Sequence, residues 1–282
     1  MFFAKRCGVL LLFVSMQLPA TEGGGSNYLP GFYGDFAMAV MPDKGTFFNN
    51  FIAAYQDVQG KTGTFLEMPG ILHVTGQQLF GGNYSVGIYP GVVAATDQTT
   101  NRNRFGLGDA YLIPFALNWQ WGDLTALVFE GIVAPTGYYD KNALSTGRNI
   151  WTFDHNLSLT WQLPLNNELS LTIGYMNNLK NPATDYLSGD ELHLDYLVGH
   201  YLHPTLAIGV TGSHYQQTSA DHAPANILAT DRAEASTIGP VLMFTPHIID
   251  RHVTLSLKWL HEFNIQGRDA QDYLVSRVFV AF

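Results

Sequence analysis

The sequence is short of charge. Only 13% of its 282 residues are Asp, Glu, Lys or Arg, against about 25% in an ordinary globular domain, so the chain carries too few ions for a surface that meets water alone. Cations are the scarcer sign. There are 14 Lys and Arg against 23 Asp and Glu, which argues against a nucleic-acid partner, since phosphate binding needs clustered basic residues. The single cysteine, Cys7, rules out a disulfide framework. Beyond the first twenty residues there is no run of about 18 apolar residues, so no spanning helix is expected. Residues 69–96 lack formal charge, but seven glycine, glutamine and asparagine positions between Gly70 and Asn83 make that stretch too polar for a helix in lipid. Motifs of catalysis are missing as well. There is no Gly-x-Ser-x-Gly elbow and no phosphate-binding glycine loop, and His261-Glu262 lacks the second histidine of a helical zinc site. His200 and His203 are three apart, which on a strand places them on opposite faces. No catalytic residue, cofactor or metal is therefore expected; a hydrolase whose Ser, His and Asp meet only in space is an alternative that no local spacing supports.

What is present is apolar and aromatic. The chain is 46% hydrophobic, with 18 Phe, 14 Tyr and 5 Trp, enough buried surface to exclude disorder. Lys5-Arg6, the apolar run from Cys7 to Met16 and the small residue Ala20 have the layout of a secretory signal peptide over residues 1–20. Ten apolar residues are about half of what a transmembrane helix needs. Cleavage would remove the cysteine and two cations, taking the formal charge from −9 to −11.

The recurring pattern in the rest is alternation with a period of two. Leu169, Leu171, Ile173 and Tyr175 fall on one face of a strand, with Ser170, Thr172, Gly174 and Met176 on the other. Trp151, Phe153, Leu157, Leu159 and Trp161 alternate with Thr152, Asp154, Asn156, Ser158 and Thr160, and residues 191–202 and 252–259 behave alike. These segments run to ten residues or more, beyond the usual five or six of soluble strands and matching what a tilted membrane strand requires. An exported β-sandwich or lipocalin-like domain would also alternate, but it does not explain an uncharged outer face rich in Trp, Phe and Leu. In lipid every backbone polar group must be paired, which for strands means a closed barrel. The expected fold is all-β, an antiparallel transmembrane β-barrel. Phe282, at the end of a face formed by Leu274, Val278 and Val280, fits a final outer-membrane strand read by the barrel-assembly machinery.

Strands are expected near 46–56, 70–80, 83–95, 109–121, 124–135, 150–163, 168–177, 191–202, 205–217, 233–245, 252–263 and 271–282, twelve in all. Short turns alternate with longer loops at 57–69, 96–108, 136–149, 178–190, 218–232 and 264–270, so both ends of residues 46–282 are periplasmic and the longer loops external. Counting residues 32–41 as a thirteenth strand would break the even number of such barrels, so residues 21–45 are expected to fold into the lumen or its periplasmic mouth. A charge facing lipid at mid-depth costs about 2–4 kcal/mol for Arg or Lys. Glu130, Asp154, Glu191, His193, Asp195, Lys258 and Arg277 are accordingly expected to line the lumen, either as a structural network or in transport. Trp119, Trp121, Trp151, Trp161, Trp259, Tyr111 and Tyr175 are expected in outward aromatic belts, and Tyr138, Tyr139 and Tyr186 in loops where solute can meet them.

Several stretches are familiar as a set. Thr21-Glu22-Gly23-Gly24-Gly25-Ser26 with Tyr28-Leu29-Pro30-Gly31, then Gly106-Leu107-Gly108-Asp109 leading into Tyr111-Leu112-Ile113-Pro114, form one part of it. Ala134-Pro135-Thr136-Gly137-Tyr138-Tyr139-Asp140, Gly147-Arg148-Asn149-Ile150-Trp151-Thr152-Phe153 and the stretch from Ala183 to His193 complete it. Together they resemble the outer-membrane transporters of the meta-pathway of phenol degradation. The resemblance spans nearly all of residues 21–282 and implies a porin-like protein of the Gram-negative outer membrane, often linked to aromatic catabolism, without fixing a substrate or any site residue. The resulting expectation is a passive channel for small, poorly polar organic solutes, with lipid and solute as partners. The alternative is a barrel that does not conduct and whose loops bind a surface partner.

Overall fold

The computed structural model describes residues 25–224, 232–248 and 251–281; the expected signal segment and Phe282 lie outside them. The wall is a single antiparallel sheet closed on itself. Its strands are β1 (Gly45–Asp57), β2 (Thr62–Leu79), β3 (Gly82–Tyr89 continued by Val92–Asp97), β4 (Arg102–Leu107 continued by Ala110–Trp121), β5 (Leu124–Ala134) and β6 (Thr152–Leu163). They are followed by β7 (Asn167–Asn178), β8 (Glu191–His203), β9 (Leu206–Gln217), β10 (Glu234–Phe244, with the outlying His247–Ile248), β11 (Arg251–Gln266) and β12 (Gln271–Ala281). Each strand pairs with its neighbours in sequence, and β1 closes the ring against β12, from Phe47 opposite Ala281 to Asp57 opposite Gln271. The count is twelve. Closure leaves no unpaired edge, which is what permits strands to cross a bilayer.

Alternation becomes geometry most plainly in β6 and β7. Thr152, Asp154, Asn156, Ser158 and Thr160 are buried, whereas Leu157 between them and Trp161 just beyond are exposed. On β7, Glu168, Ser170 and Thr172 point inward while Leu169 and Ile173 face out. With Leu242, Leu257, Trp259 and Leu274 likewise exposed, the wall presents apolar side chains outward, and on β6 and β7 polar ones inward, the reverse of a soluble domain.

Several strands outrun their expected ends, β11 by reaching Gln266 rather than 263. β2 starts at Thr62 rather than 70, β3 continues to Asp97, and β4 starts at Arg102, so the expected loops 57–69 and 96–108 shrink to residues 58–61 and 98–101. The reason is local: in residues 62–68 the outward Phe65 and the inward Leu66 and Met68 are all apolar, so the contrast that reveals a strand disappears. β3 and β4 are each interrupted once, at Pro90, which has no N–H to donate, and at Gly108-Asp109. The interruptions lie side by side, with the Gly108 N–H on the Gly91 carbonyl at 2.8 Å. Loop 135–151 is pinned here, since the Asp109 carboxylate accepts from the backbone N–H of Gly137 at 2.9 Å and of Arg148 at 2.7 Å.

Tyr111 is a correction. It was expected in the outward belt with Trp119, of the same parity, but it is buried and points into the barrel. The pairing of β4 with β5 slips between Leu112 and Phe115; this bulge, at Ile113-Pro114, adds one residue and reverses the face on either side of it.

Candidate functional site

The lumen has two unlike halves. Its polar half is the inner face of β6 to β8 with Ser256 and Lys258 of β11, and its apolar half is the inner face of β1 to β5, with Phe51, Met68, Leu72, Tyr89, Leu127 and Phe129. Between them runs a plug formed by residues 25–44, which make no strand. Most of its polar groups are spent on the polar half; the Ala39 carbonyl, which accepts from Asn118 Nδ2 of β4 at 2.6 Å, is an exception. Starting at the end that carries the longer loops 135–151 and 179–190, the expected external one, the Ser26 hydroxyl donates to Glu191, and Asn27 Nδ2 donates to Thr152 Oγ1 at 2.6 Å. Further down, Tyr28 Oη donates to Asp195 at 2.9 Å and Tyr33 Oη to Asp154 at 2.6 Å. Lys258 Nζ donates to the carbonyls of Gly31 at 2.7 Å and Gly34 at 2.9 Å and lies 3.7 Å from Asp35. Near the periplasmic end, the Ala37 N–H donates to Glu168 at 2.7 Å and the Ala39 N–H to Thr160 Oγ1 at 3.0 Å. These bonds satisfy backbone groups that have no sheet partner, which a buried irregular segment requires.

His193 is the hub. Its Nε2 is 3.0 Å from Asp154 Oδ1 and its Nδ1 3.4 Å from Asp195 Oδ2, all three side chains being buried. The imidazole stacks on both plug tyrosines, at 4.4 Å and 17° on Tyr28 and at 5.3 Å and 15° on Tyr33. The two carboxylates that flank the histidine thus also receive the hydroxyls of the rings stacked on it. Two glycines make room for the arrangement. A Cβ at Gly174 would stand 2.0 Å from His193 Nε2, and one at Gly131 would stand 1.8 Å from Tyr111 Oη.

The plug divides the remaining space, with Phe32 reaching across to Phe51 on the apolar half. An external cavity of about 680 Å³ is lined by Tyr55, Leu66, Met68, Val93, Val133, Tyr139 and the folded loop 139–148. A periplasmic cavity of about 350 Å³ is lined by Phe36, Phe51, Leu72, Leu127, Phe129, Met243, Arg277 and Phe279. Phe32, Tyr33 and Tyr111 border both. They form a septum: Phe32 meets Tyr33 edge-on at 5.1 Å and 89° and leans on Phe51 at 4.2 Å, while Tyr33 Oη and Tyr111 Oη are 2.7 Å apart and both reach Asp154.

Of the residues singled out in the sequence, Asp154, Glu191, His193, Asp195 and Lys258 are inward and buried, against the plug or its partners, and Arg277 is inward and half-buried. Glu130 is a correction. It is on the outer face of β5, 2.5 Å from His155 Nδ1, and His155 in turn contacts Asn177 at 3.0 Å on the same outer wall. The inner face of β5 is itself apolar, with Leu127, Phe129 and Val133, so polarity does not mark the inside there, and pairing with His155 near the external end of the strand offsets the cost of the outward carboxylate. Tyr139 borders the external cavity, and Tyr138 is exposed beneath the Arg104 guanidinium at 4.0 Å. Tyr186 is also corrected: it is buried with its hydroxyl on Asp221, which removes it from contact with solute. Residues not singled out include Asp35 and Glu168. Glu168 was legible, since it shares the parity of Ser170 and Thr172.

A family model described as "Putative MetA-pathway of phenol degradation" matches residues 48–274. Among solved structures, an outer membrane channel from Pseudomonas putida F1 is similar over 90% of this chain and 100% of its own, with 14% identity and a TM-score of 0.77. The TodX monoaromatic hydrocarbon channel and the Vibrio cholerae outer membrane protein OmpT, at 10% and 7% identity, cover 86% and 84% of the chain and 90% and 96% of their own. Their TM-scores of 0.45 and 0.40 amount to a general barrel likeness. No curated protein matches the sequence.

Proposed function

Because the chain belongs to the family of the MetA-pathway of phenol degradation, we propose that it is an outer-membrane channel through which small, poorly polar organic molecules, monoaromatics among them, enter passively. One observation carries this reading: the lumen is divided lengthwise, and the wall of the two cavities is mainly the rings and aliphatic side chains of its apolar half, joined by Met243, Arg277 and Phe279 in the periplasmic cavity and by Asp109, Asp154 and loop 139–148 in the external one. There, rings and aliphatic side chains offer a poorly polar solute contacts that a water-filled pore does not. The opposite half is occupied in holding the plug and offers few free donors to a sugar or an ion. No energy source is assigned, since the sequence carries no nucleotide-binding motif, and the barrel is read as a conduit rather than an enzyme. The outer wall meets membrane lipid, and Phe282 is the candidate signal for the assembly machinery.

A second reading, a barrel that does not conduct and serves through its loops, draws support from the Phe32–Tyr33–Tyr111 septum that separates the cavities. Uptake of labelled toluene into Gram-negative cells with and without the protein, with a disaccharide as the polar control, distinguishes the two. Channel function gives a faster initial rate for toluene alone; equal rates with and without the protein would overturn it.

A further inference from the structure

Among the described residues, Arg277 is a cation without a counter-charge. Among the inward cations, Lys258 lies beside Asp35 and Arg268 is 3.1 Å from Glu262. Arg277 meets only a neutral group: its Nε donates to Asn49 Oδ1 at 2.8 Å, and Asn49 Nδ2 donates onward to Tyr89 Oη at 3.1 Å. Its guanidinium carbon lies 5.4 Å from the Phe51 ring centre and 5.2 Å from that of Phe279. No carboxylate stands within 4 Å of it among the described residues, and neither Nη has an acceptor there. Arg277 is also the one charged side chain among the residues that line the periplasmic cavity, which is otherwise rings, aliphatic groups and a few neutral polar ones.

We propose that this cavity is a binding site for small monoaromatic carboxylates, with Arg277 holding the carboxylate and the surrounding rings holding the ring of the solute. The proposal rests on the channel reading for the solute's route in, though not for its binding. About 350 Å³ is at the small end of ligand pockets, which span about 300–1,000 Å³, so it suits a single ring. Burying a carboxylate in apolar surroundings is strongly unfavourable unless it is paired, and a guanidinium offers two parallel N–H donors that match it. Asn49 engages Nε and the two phenylalanine faces flank the guanidinium, which leaves both Nη groups as the donors open to a ligand. The site thereby selects for charge as well as for shape.

The test uses the full-length protein purified in detergent at neutral pH, with benzoate and its neutral isostere benzamide as probes and calorimetric titration as the readout. Wild type is expected to bind benzoate at least about tenfold more tightly than benzamide, as a charge-assisted pair in a poorly solvated site would give. Arg277→Gln should remove that preference while leaving benzamide binding within about twofold of wild type, on the view that benzamide is held by the rings. Arg277→Lys should retain part of the preference, because the charge remains and the planar fork is lost. A wild-type preference near one, or one that survives in Arg277→Gln, would overturn the proposal. If Arg277→Gln does not fold, full retention of the preference in Arg277→Lys counts against the forked contact. Toluene uptake separates this from the channel reading: uptake with no benzoate preference defeats the site alone, and an Arg277-dependent preference without uptake defeats the channel alone.

Discussion

Lys258→Met is the sharpest probe of how the plug is held. Lys258 is 1% exposed and Asp35 2%; the ammonium serves two plug carbonyls and faces that carboxylate at 3.7 Å. Methionine replaces the stem with similar bulk but leaves Asp35 with only neutral donors, Ser256 Oγ at 2.7 Å and the Phe36 N–H at 3.0 Å. Breaking a buried ion pair from one side costs about 3–5 kcal/mol. At 1.4 kcal/mol per tenfold, the ratio of docked to released plug should fall by roughly two to three and a half orders of magnitude. Ala39 is a suitable reporter. It is fully buried, and its plug contacts are made by its backbone N–H and carbonyl, to Thr160 and Asn118. Cys7 belongs to the expected signal segment, so Ala39→Cys would supply the single thiol of the exported chain. The rate of its modification by a water-soluble maleimide should rise steeply when Lys258→Met is added, up to the limit set by the energy difference. Adding Asp35→Asn should restore most of the protection, since it removes the stranded charge. A rate unchanged within threefold, or no rescue by Asp35→Asn, would refute the claim that this pair holds the plug.

Three further predictions follow from the same geometry. Phe32→Ala removes the ring that leans on Phe51 and joins the two cavities, so single-channel conductance in planar bilayers should rise while modification of Ala39→Cys stays slow. Gly174→Ala puts a methyl 2.0 Å from His193 Nε2 and 2.5 Å from Asn156 Oδ1; overpacking of this kind costs about 1–3 kcal/mol, to be read as earlier loss of the compact form on heated gel electrophoresis. Glu130→Lys should leave the ratio of cation to anion permeability unchanged, because Glu130 is on the outer wall, and a clear shift in reversal potential would return it to the lumen.

Much of the wall was legible because a strand that is apolar on one side and polar on the other carries its own signature. β6 to β9 begin and end within two residues of the spans read from alternation, and parity alone placed Asp154, Glu191, His193 and Asp195 on one surface. The signature weakens where both faces are apolar. On β5 the outward Val128 and the inward Leu127 and Phe129 are equally hydrophobic, so Glu130 was assigned by the cost of its charge and came out on the wrong side, its partner His155 lying on another strand. On β4 the bulge reverses parity between Tyr111 and Trp119, and no rule of local sequence marks which residue is left unpaired.

By itself, the scarcity of charge together with long alternating segments determined a closed barrel of twelve strands in lipid, and parity of the strand count kept residues 32–41 out of the wall. Both follow from short-range repetition and from the need to pair every backbone group in a bilayer. What only the tertiary structure decided is the use made of the interior: the division into polar and apolar halves, the stacking of Tyr28 and Tyr33 on His193, the septum, and the isolation of Arg277. These depend on contacts between residues far apart in sequence, such as Asp35 with Ser256 and Lys258, and such contacts come into being only when the sheet closes around the plug.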